Sequence, residues 1–558
     1  MKRLLLVPSA ILVCDELKFE VGYTPTAMIP LQGKPVLAHI IDRYYNSKKI
    51  HKFISCNQGK DKIKNYIDKA RKDCSLIDVP IIKDLGNTIF HSLEYLKENR
   101  MLEDSYLYIN FADTIAGPID MQESEDFVLY SIVDDPFRWT SFETDSNDKI
   151  VSITEKYTKV VEAQKKVFVG VFGFSEPLTF LDCISKYINN EEDDETDPFY
   201  LALLDYISAK DYKLKFSEEW IDVGHLDTYY DAKKKFINSR VFNCIYLDTK
   251  TNILLKKSEN KKKLIDEINW YFKLPKNMQH IIPHIYDYSI DILNPFIKME
   301  YIGYPCLTDI YLYGSHPLYI WNNIFNLIFS LVDNFRKYKY DVERDNIKKT
   351  LYDMYYTKTV DRLTLLKKNK YFNFFFDSDE IQINGVEYKS LKYIINRLDE
   401  ILKVSNIFDL PYLNIIHGDL CLPNIFFDVR NKIIKLIDPR GRFGSYDIYG
   451  DYRYDLAKLR HSVCGYYDFI INDLFEINVD STKRSIRYSI YLEDKHKNIC
   501  KMFDEKIKQK YDEIKDVIEL LESLLFLSMV PMHSDNLKRQ YCMLAIGIKK
   551  FNETCLNR

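Results

Sequence analysis

The chain has 558 residues, room for two large domains or about three to four of average size, and its 46% hydrophobic content supports full cores and excludes a disordered chain. Its 78 basic and 82 acidic residues nearly cancel, giving a formal net charge of -4. No basic surplus advertises nucleic acid, and no single-sign tail is present.

Eleven Cys are scattered from Cys14 to Cys555 without a CxxC pair or a Cys/His cluster at zinc spacing, which predicts reduced thiols and a cytoplasmic location. The opening MKRLLLVPSAILVC places two basic residues before an apolar run. Asp15 and Glu16 follow at once, so we read Arg3–Val7 as a first β-strand broken by Pro8 rather than as a signal peptide. The apolar run Leu520–Val530 contains Glu522 and is too short for a bilayer, so no membrane span is expected.

Strands and helices alternate through the first half. Strands are expected at Arg3–Val7, Lys52–Cys56, Val79–Ile82 and Ser105–Phe111, with helices at Pro35–Tyr45, Lys60–Lys72 and Thr88–Asn99. This predicts an α/β fold with a mostly parallel, Rossmann-like sheet and ligands outside the carboxyl ends of its strands. Asp113 follows the strand Tyr106–Phe111, and Asp222 lies in WIDVGH near the end of this half. Two such carboxylates suit one Mg²⁺ shared with a nucleotide's phosphates.

Several segments here resemble sugar-phosphate and choline-phosphate nucleotidyltransferases. Thr24–Leu37 is similar to their TPKxLxPxxGKPxL segment, Asn110–Asp113 to their metal-binding GD, and Thr154-Glu155-Lys156 to their EKP. Val169–Phe172 is similar to the NxGxY strand and Trp220–Gly224 to WxDVGT. The resemblance implies a GT-A-like sheet, metal binding by Asp113 and Asp222, and nucleotide contacts at Gly86, Asn87 and Lys156, with CTP or another nucleoside triphosphate as substrate. It departs at the triphosphate loop. The family's glycine-rich, Arg-bearing loop is replaced by Pro8–Glu16, without glycine or Arg, and its catalytic Lys by Thr26. Compensation by Lys18 or Lys34, nucleotide binding without turnover, and a platform role all stay open.

The charged segment Asp231–Val241 ends this pattern and places the domains at 1–238 and 239–558. A β-hairpin over Phe242–Lys256 and a helix Asn260–Leu274 then bring Lys256, with Lys257 as the alternate phase, and Glu267. Ile297–Tyr301 is an expected strand, followed by helices in Tyr319–Tyr340 and Arg344–Lys368, a hairpin around Asn384-Gly385, and a helix Leu391–Val404. Next comes the most informative stretch. In IHGDLCLPNIFFD, Asp419 stands five residues before Asn424, and Asp438 ends the strand Ile433–Ile437 fourteen residues further on. An acid to meet a hydroxyl, with an Asn and a second Asp to hold Mg²⁺ against nucleotide phosphates, suits phosphoryl transfer.

This half resembles the aminoglycoside phosphotransferase and choline kinase family, through Lys256, Glu267, His417-Gly418-Asp419, Asn424, Asp438 and the run Gly450–Ala457, which is similar to GDPxYDLA. The resemblance implies a bilobal, protein-kinase-like domain that uses ATP. Asp419 is then the catalytic base, Asn424 and Asp438 hold Mg²⁺, Lys256 and Glu267 bind phosphate, Glu300 and Tyr301 meet adenine, and Asp451 and Asp455 are structural. Together the halves lead us to expect a bifunctional enzyme that phosphorylates a small alcohol or sugar and couples the phosphate to a nucleotide for cell-surface polysaccharide synthesis. The alternative is a small-molecule kinase with a non-catalytic binding module. A homo-oligomer is left open.

Overall fold

The computed structural model describes residues 1–44, 50–80, 84–119, 124–155, 164–188, 196–237 and 243–556. Contacts divide the chain into two compact units, Met1–Phe236 with Tyr313–Ser315, and Ile237–Leu312 with His316–Arg558. The expected junction at 238/239 lies outside the described residues, as does Lys156.

The first unit is built on the parallel strands β1 (Lys2–Ser9), β2 (Ile50–Cys56), β3 (Cys74–Asp78) and β4 (Ser105–Asn110), with helix α1 (Leu85–Glu98) between β3 and β4. In space the order is β3-β2-β1-β4. The long strand β6 (Lys165–Phe174) then joins β4 antiparallel and carries the rest of a nine-stranded sheet. Leu4, Leu5 and Leu6 are fully buried, as a central strand covered on both faces requires. Strand β1 runs through Pro8 to Ser9 instead of ending before it. Pairing with β4 stops at Leu6, so beyond it only β2 is paired and a missing N–H is tolerated. A strand forms at Cys74–Asp78, just before the expected Val79–Ile82, whose last two residues lie outside the described residues. Val79 N–H instead caps the sheet by donating to Cys56 O, and Pro80 has no N–H to continue a ladder.

Two short strands complete the part that matters for chemistry. β5 (Thr114–Ala116) pairs antiparallel with β7 (Trp220–Asp222), with Asp222 opposite Thr114. Helix α2 (Pro198–Ser208) precedes β7 and is capped by Asp197.

The second unit opens with an antiparallel sheet of β8 (Asn243–Asp248), β9 (Ile253–Ser258), β10 (Ile285–Ser289) and β11 (Phe296–Glu300), in the order β8-β9-β11-β10. Helix α3 (Lys261–Lys273), capped by Asn260, follows β9 and buries Leu264, Glu267, Ile268, Trp270 and Tyr271. A helical region follows, containing α4 (Leu318–Arg336). The hairpin at Asn384-Gly385 forms with both residues at positive φ, 50° and 85°, as that dipeptide favours. The strands β12 (Leu413–Ile415), β13 (Ile425–Asp428) and β14 (Ile433–Leu436) frame the HGD stretch, and α5 (Tyr452–Val463) lies beneath it. Helices α6 (Asp494–Tyr511), α7 (Lys515–Met529) and α8 (Leu537–Cys555) close the unit.

At the start of α5 a buried ion pair fixes this floor. Arg453 Nε lies 2.9 Å from Asp451 Oδ1, its Nη2 lies 2.8 Å from Asp451 Oδ2, and the same Nη2 donates to Ile407 O at 2.7 Å. Removing one partner would leave the other charge buried and bare, so Arg453→Ala should lower the stability of this unit by about 3–5 kcal/mol in urea unfolding. A loss below about 1 kcal/mol would show that the pair contributes only as a surface bridge does.

Candidate active sites

In the first unit the two expected metal carboxylates come together through the β5–β7 pairing. Val223 N–H donates to Asp113 O at 2.9 Å, drawing the turn after β4 onto the end of β7. A Cβ on Gly224 would lie 2.7 Å from Asp113 Oδ2 and 3.3 Å from Asp222 Oδ1, so both carboxylates approach the same point, which only glycine leaves open. Asp222 is oriented by the Trp139 indole N–H, by Gly224 N–H at 2.6 Å and by the Thr228 hydroxyl at 3.4 Å. Two half-exposed carboxylates, one in the turn before β5 and one at the end of β7 and braced by N–H donors, suit a hard divalent cation that keeps water and phosphate in its other positions. Trp139 was not foreseen, because it lies 83 residues from its partner with no local pattern to mark it.

Gly86 and Asn87 sit in the first turn of α1, but their N–H groups are already used. Leu85 N–H and Gly86 N–H donate to Asp197 at 3.0 and 2.9 Å, and Asn87 N–H donates to Asp84 at 2.7 Å. An internal carboxylate thus occupies the place where a helix N-terminus would receive an anion. Burial, reinforced by Asp84 and Glu155, pushes the Asp197 carboxyl up to about 6 against its backbone hydrogen bonds.

The segment in place of a glycine-rich phosphate loop is a closed strap. Val13 N–H donates to Thr24 O, Thr26 N–H to Ile11 O, Gln58 N–H to Ala10 O, and Ala27 N–H to the Ser9 hydroxyl. Lys18 and Lys34, the candidate replacements for the missing cation, pair with Asp15 at 2.6 Å and Asp42 at 3.2 Å.

In the second unit Lys256 is the meeting point of three elements. Its Nζ lies 2.8 Å from both Glu267 oxygens on α3 and 2.6 Å from Asp438 Oδ1 just past β14. Burial opposes the charge, but the two carboxylates prevail and hold the ammonium above its usual range. The strand phase is settled, since Lys256 is 5% exposed and Lys257 points to solvent. Asp438 adopts φ 55°, rare for a non-glycine residue, and its N–H donates to the Tyr271 hydroxyl at 3.3 Å.

The HGD loop is held from below. Asp455 accepts His417 N–H at 2.7 Å and Gly418 N–H at 2.8 Å, while Trp270 Nε1 donates to Ile416 O at 2.7 Å. Gly418 has φ 76°, and a Cβ there would meet Arg440 Cβ at 2.7 Å. His417 is fully buried against Ile437 O, and that burial pushes its imidazole down to about 4, so it is a neutral spacer. Asn424 Nδ2 donates to Asp419 O at 2.9 Å, leaving its amide oxygen as the ligand-type atom. Asp419 itself pairs with Lys458 Nζ at 2.8 Å; burial works against its charge, but Lys458 outweighs burial and holds the carboxyl below the usual range. Lys458 escaped the sequence reading, although it lies one helical turn beyond Asp455 on the same face.

The N–H groups of Glu300 and Tyr301 are not available to a purine. They donate to His284 O at 2.8 Å and Asn252 O at 3.0 Å, because β11 continues its ladder to that point. Of the backbone groups expected to meet adenine here, the carbonyls of Glu300 and Tyr301 are then the ones left to do so. Of the two arginines after Asp438, Arg442 pairs with Asp266 and Asp447, whereas Arg440 donates to the Tyr454 hydroxyl at 3.1 Å. Among the described residues one cluster of three metal-competent side chains also occurs, Cys464, Cys500 and Asp504, but the Arg460 guanidinium already lies 3.0 Å from the Asp504 carboxylate.

Comparison with known proteins bears on the first unit. The Nucleotidyl transferase family model matches residues 23–239, beginning after β1 and the apolar strap. The Bifunctional protein GlmU of Methanococcus maripaludis strain C5 is 26% identical over 222 residues, covering 38% of this chain and 50% of that protein. The protein of the same description from strain C7 is 24% identical over 217 residues. The chain spans about half the length of the curated relatives it matches. Among solved structures, HddC from Yersinia pseudotuberculosis complexed with GMP-PN is 20% identical, with 42% of this chain and all of that one covered and a TM-score of 0.31. LicC, the CTP:phosphocholine cytidylyltransferase of Streptococcus pneumoniae, is 15% identical, with 42% of this chain and all of that one covered and a TM-score of 0.34. The first unit therefore carries a Rossmann-like nucleotidyltransferase domain. No helix among the described residues is long and apolar enough to cross a membrane.

If Asp113 and Asp222 share a cation, Asp113→Asn should weaken Mn²⁺ binding by at least the roughly 10-fold typical even of outer-shell changes, read by calorimetry. Unchanged Mn²⁺ affinity in both Asp113→Asn and Asp222→Asn would rule out this site.

Proposed function

We propose that the chain is a bifunctional enzyme: the second unit phosphorylates a small hydroxyl compound with ATP, and the first joins that phosphate to a nucleoside triphosphate, releasing pyrophosphate. The observation that carries the first step is the Lys256–Glu267–Asp438 cluster next to the Asp455-braced Asp419 loop. In the second unit Lys256, positioned by Glu267, neutralises the nucleotide's inner phosphates. Asp419, kept ionised by Lys458, orients the acceptor hydroxyl and takes its proton as the acceptor oxygen bonds to the γ-phosphorus. The bond from that phosphorus to the β,γ-bridging oxygen breaks, and ADP leaves. Asn424 and Asp438 in the second unit, and Asp113 and Asp222 in the first, would hold Mg²⁺, which would supply charge neutralisation of the phosphates.

A kinase's product is what a nucleotidyltransferase consumes, so fusing the steps has chemical sense. The curated relatives matching the first unit are described as bifunctional proteins. By analogy we read the product as an activated precursor of a cell-surface polysaccharide, with a sugar or another small alcohol as acceptor, made in the cytoplasm. A second reading, in which the first unit only binds, draws on the closed strap at residues 10–14, the internal pairing of Lys18 and Lys34, and Thr26 in place of Lys.

With ATP and a panel of alcohols and sugars, the wild-type protein should form ADP and a phosphorylated product detectable by mass spectrometry. Asp419→Ala and Asp438→Ala should each lower this rate by on the order of 10²-fold or more while leaving the unfolding midpoint in place. Wild-type turnover in either would refute the assignment. Pyrophosphate release from a preformed phosphate and an NTP, lost in Asp113→Ala, separates the bifunctional reading from the binding-module reading.

The pairing of Asp419 with Lys458 also fixes a pH dependence. A carboxylate held below its usual range stays ionised through mildly acidic pH, so wild-type turnover should show no acid limb from Asp419 above about pH 5. In Lys458→Met the largest opposition to burial is gone, the Asp419 carboxyl titrates higher than in the wild type, and an acid limb should move up in pH. An unchanged pH profile in this variant would mean that Lys458 does not set the ionisation of Asp419.

A further inference from the structure

The surroundings of Asp419 contain more positive charge than the protein neutralises. Lys458 is matched by Asp419 itself at 2.8 Å. Three further cations have no carboxylate partner among the described residues. Arg440 donates to the Tyr454 hydroxyl at 3.1 Å, and its guanidinium lies 5.9 Å from the centre of that ring. Lys358 Nζ lies 5.9 Å from the same ring and, among the described residues, makes neither hydrogen bond nor ion pair. Arg362 donates only to a backbone carbonyl, Ser528 O, at 3.1 Å. Arg440 is tied to the HGD loop directly: its N–H donates to His417 O at 2.9 Å and its Cβ lies against Gly418.

The backbone has been adjusted to bring Lys358 here. Helix Arg344–Tyr352 passes into a single π-helical stretch, Asp353–Thr357, and resumes as Lys358–Lys367. Such an inserted turn re-aims the side chains that follow it and occurs often at functional sites. The stretch is anchored by Tyr355, whose hydroxyl donates to Asp451 at 2.7 Å and whose ring stacks on Tyr454 at 6.4 Å. Lys358 and Arg440 therefore converge on Tyr454 from two segments far apart in sequence, with Arg362 one turn beyond Lys358.

We infer that the hydroxyl substrate of the second unit carries an anionic group, a carboxylate or a phosphate ester, which Lys358 and Arg440 receive beside Asp419. This rests on the phosphotransfer reading above and narrows its acceptor from alcohols in general to anionic ones. An unmatched, half-buried cation is expensive to keep and becomes favourable when an anion arrives with it. Arg440 offers a planar fork suited to two oxygens, and Lys358 a compact point charge. Consistent with a missing counter-charge, burial together with Arg440, Arg362 and Lys458 pushes the Lys358 ammonium down to about 6. A quaternary ammonium acceptor, by contrast, would meet like charge here.

Calorimetric titration of the full chain with D-glycerate and sn-glycerol 3-phosphate, each set against glycerol and choline, tests this. ADP formation from ATP is followed with the same four compounds. At least one anionic acceptor should bind about 10-fold or more tighter than glycerol, and which one does so tells carboxylate from phosphate ester. Lys358→Met and, independently, Arg440→Gln should each remove most of that preference, Lys358→Arg should restore it, and ATP affinity should hold steady. Equal binding of glycerol, a preference for choline, or a loss of ATP affinity in place of acceptor affinity would overturn the inference. Anion binding that depends on Lys358 without ADP formation from any acceptor would uphold the anion site and count against the phosphotransfer reading instead.

Discussion

The second unit depends on the position of one ammonium group. Lys256 draws together a strand, a helix and Asp438 just past β14, and without it Glu267 would bury an uncompensated charge. Glu267 is 3% exposed and Lys256 5%, so neither ionises comfortably without the other. Asp438, held at φ 55°, completes the group from the far side. A purely structural triad of this kind would be a poor bargain, because apolar side chains of similar volume stabilise a core as well. Its retention next to Asn424 and Asp419 makes sense if the ammonium is there for phosphate.

A second constraint governs the loop above it. Asp455, fully buried, accepts two consecutive N–H groups from His417 and Gly418, and burial pushes its carboxyl up to about 7. The loop is thus fixed through its backbone, which frees the Asp419 side chain to face Lys458 and whatever lies beyond it. The first unit distributes its polar groups differently. Asp113 and Asp222 converge around Gly224, but the donors that could cradle a triphosphate are bonded internally, at α1 to Asp197 and in the strap to Thr24 and Ser9. The two carboxylates come together while the loop in the phosphate position is closed on itself, and both readings of this unit's activity follow from that.

How legible this was in the sequence depended on the range of the interactions. The central strands announced themselves as apolar runs, the helix Leu391–Val404 by its periodicity, and the hairpin at Asn384-Gly385 by a dipeptide that favours positive φ. Motif residues such as Asp419, Asn424 and Asp438 were legible because their spacing is short and fixed. Boundaries set by pairing were not: β1 continues through Pro8 because one neighbour stops pairing, a fact no local signal carries. Nor were side chains that act through space. Trp139 on Asp222, Asp197 on α1 and Lys358 beside Tyr454 are each brought in by the fold from a distant segment. The use of the Glu300 and Tyr301 N–H groups was likewise decided by where the β11 ladder ends.

The central claim is that two phosphate chemistries on one chain run in sequence. The most direct measurement supplies ATP, a second nucleoside triphosphate and an unphosphorylated acceptor to the intact chain, and follows pyrophosphate. Pyrophosphate release should disappear in Asp419→Ala and return when the acceptor is provided already phosphorylated. Pyrophosphate release from the unphosphorylated acceptor that survives in Asp419→Ala, or none from the phosphorylated acceptor with any nucleoside triphosphate, would contradict it.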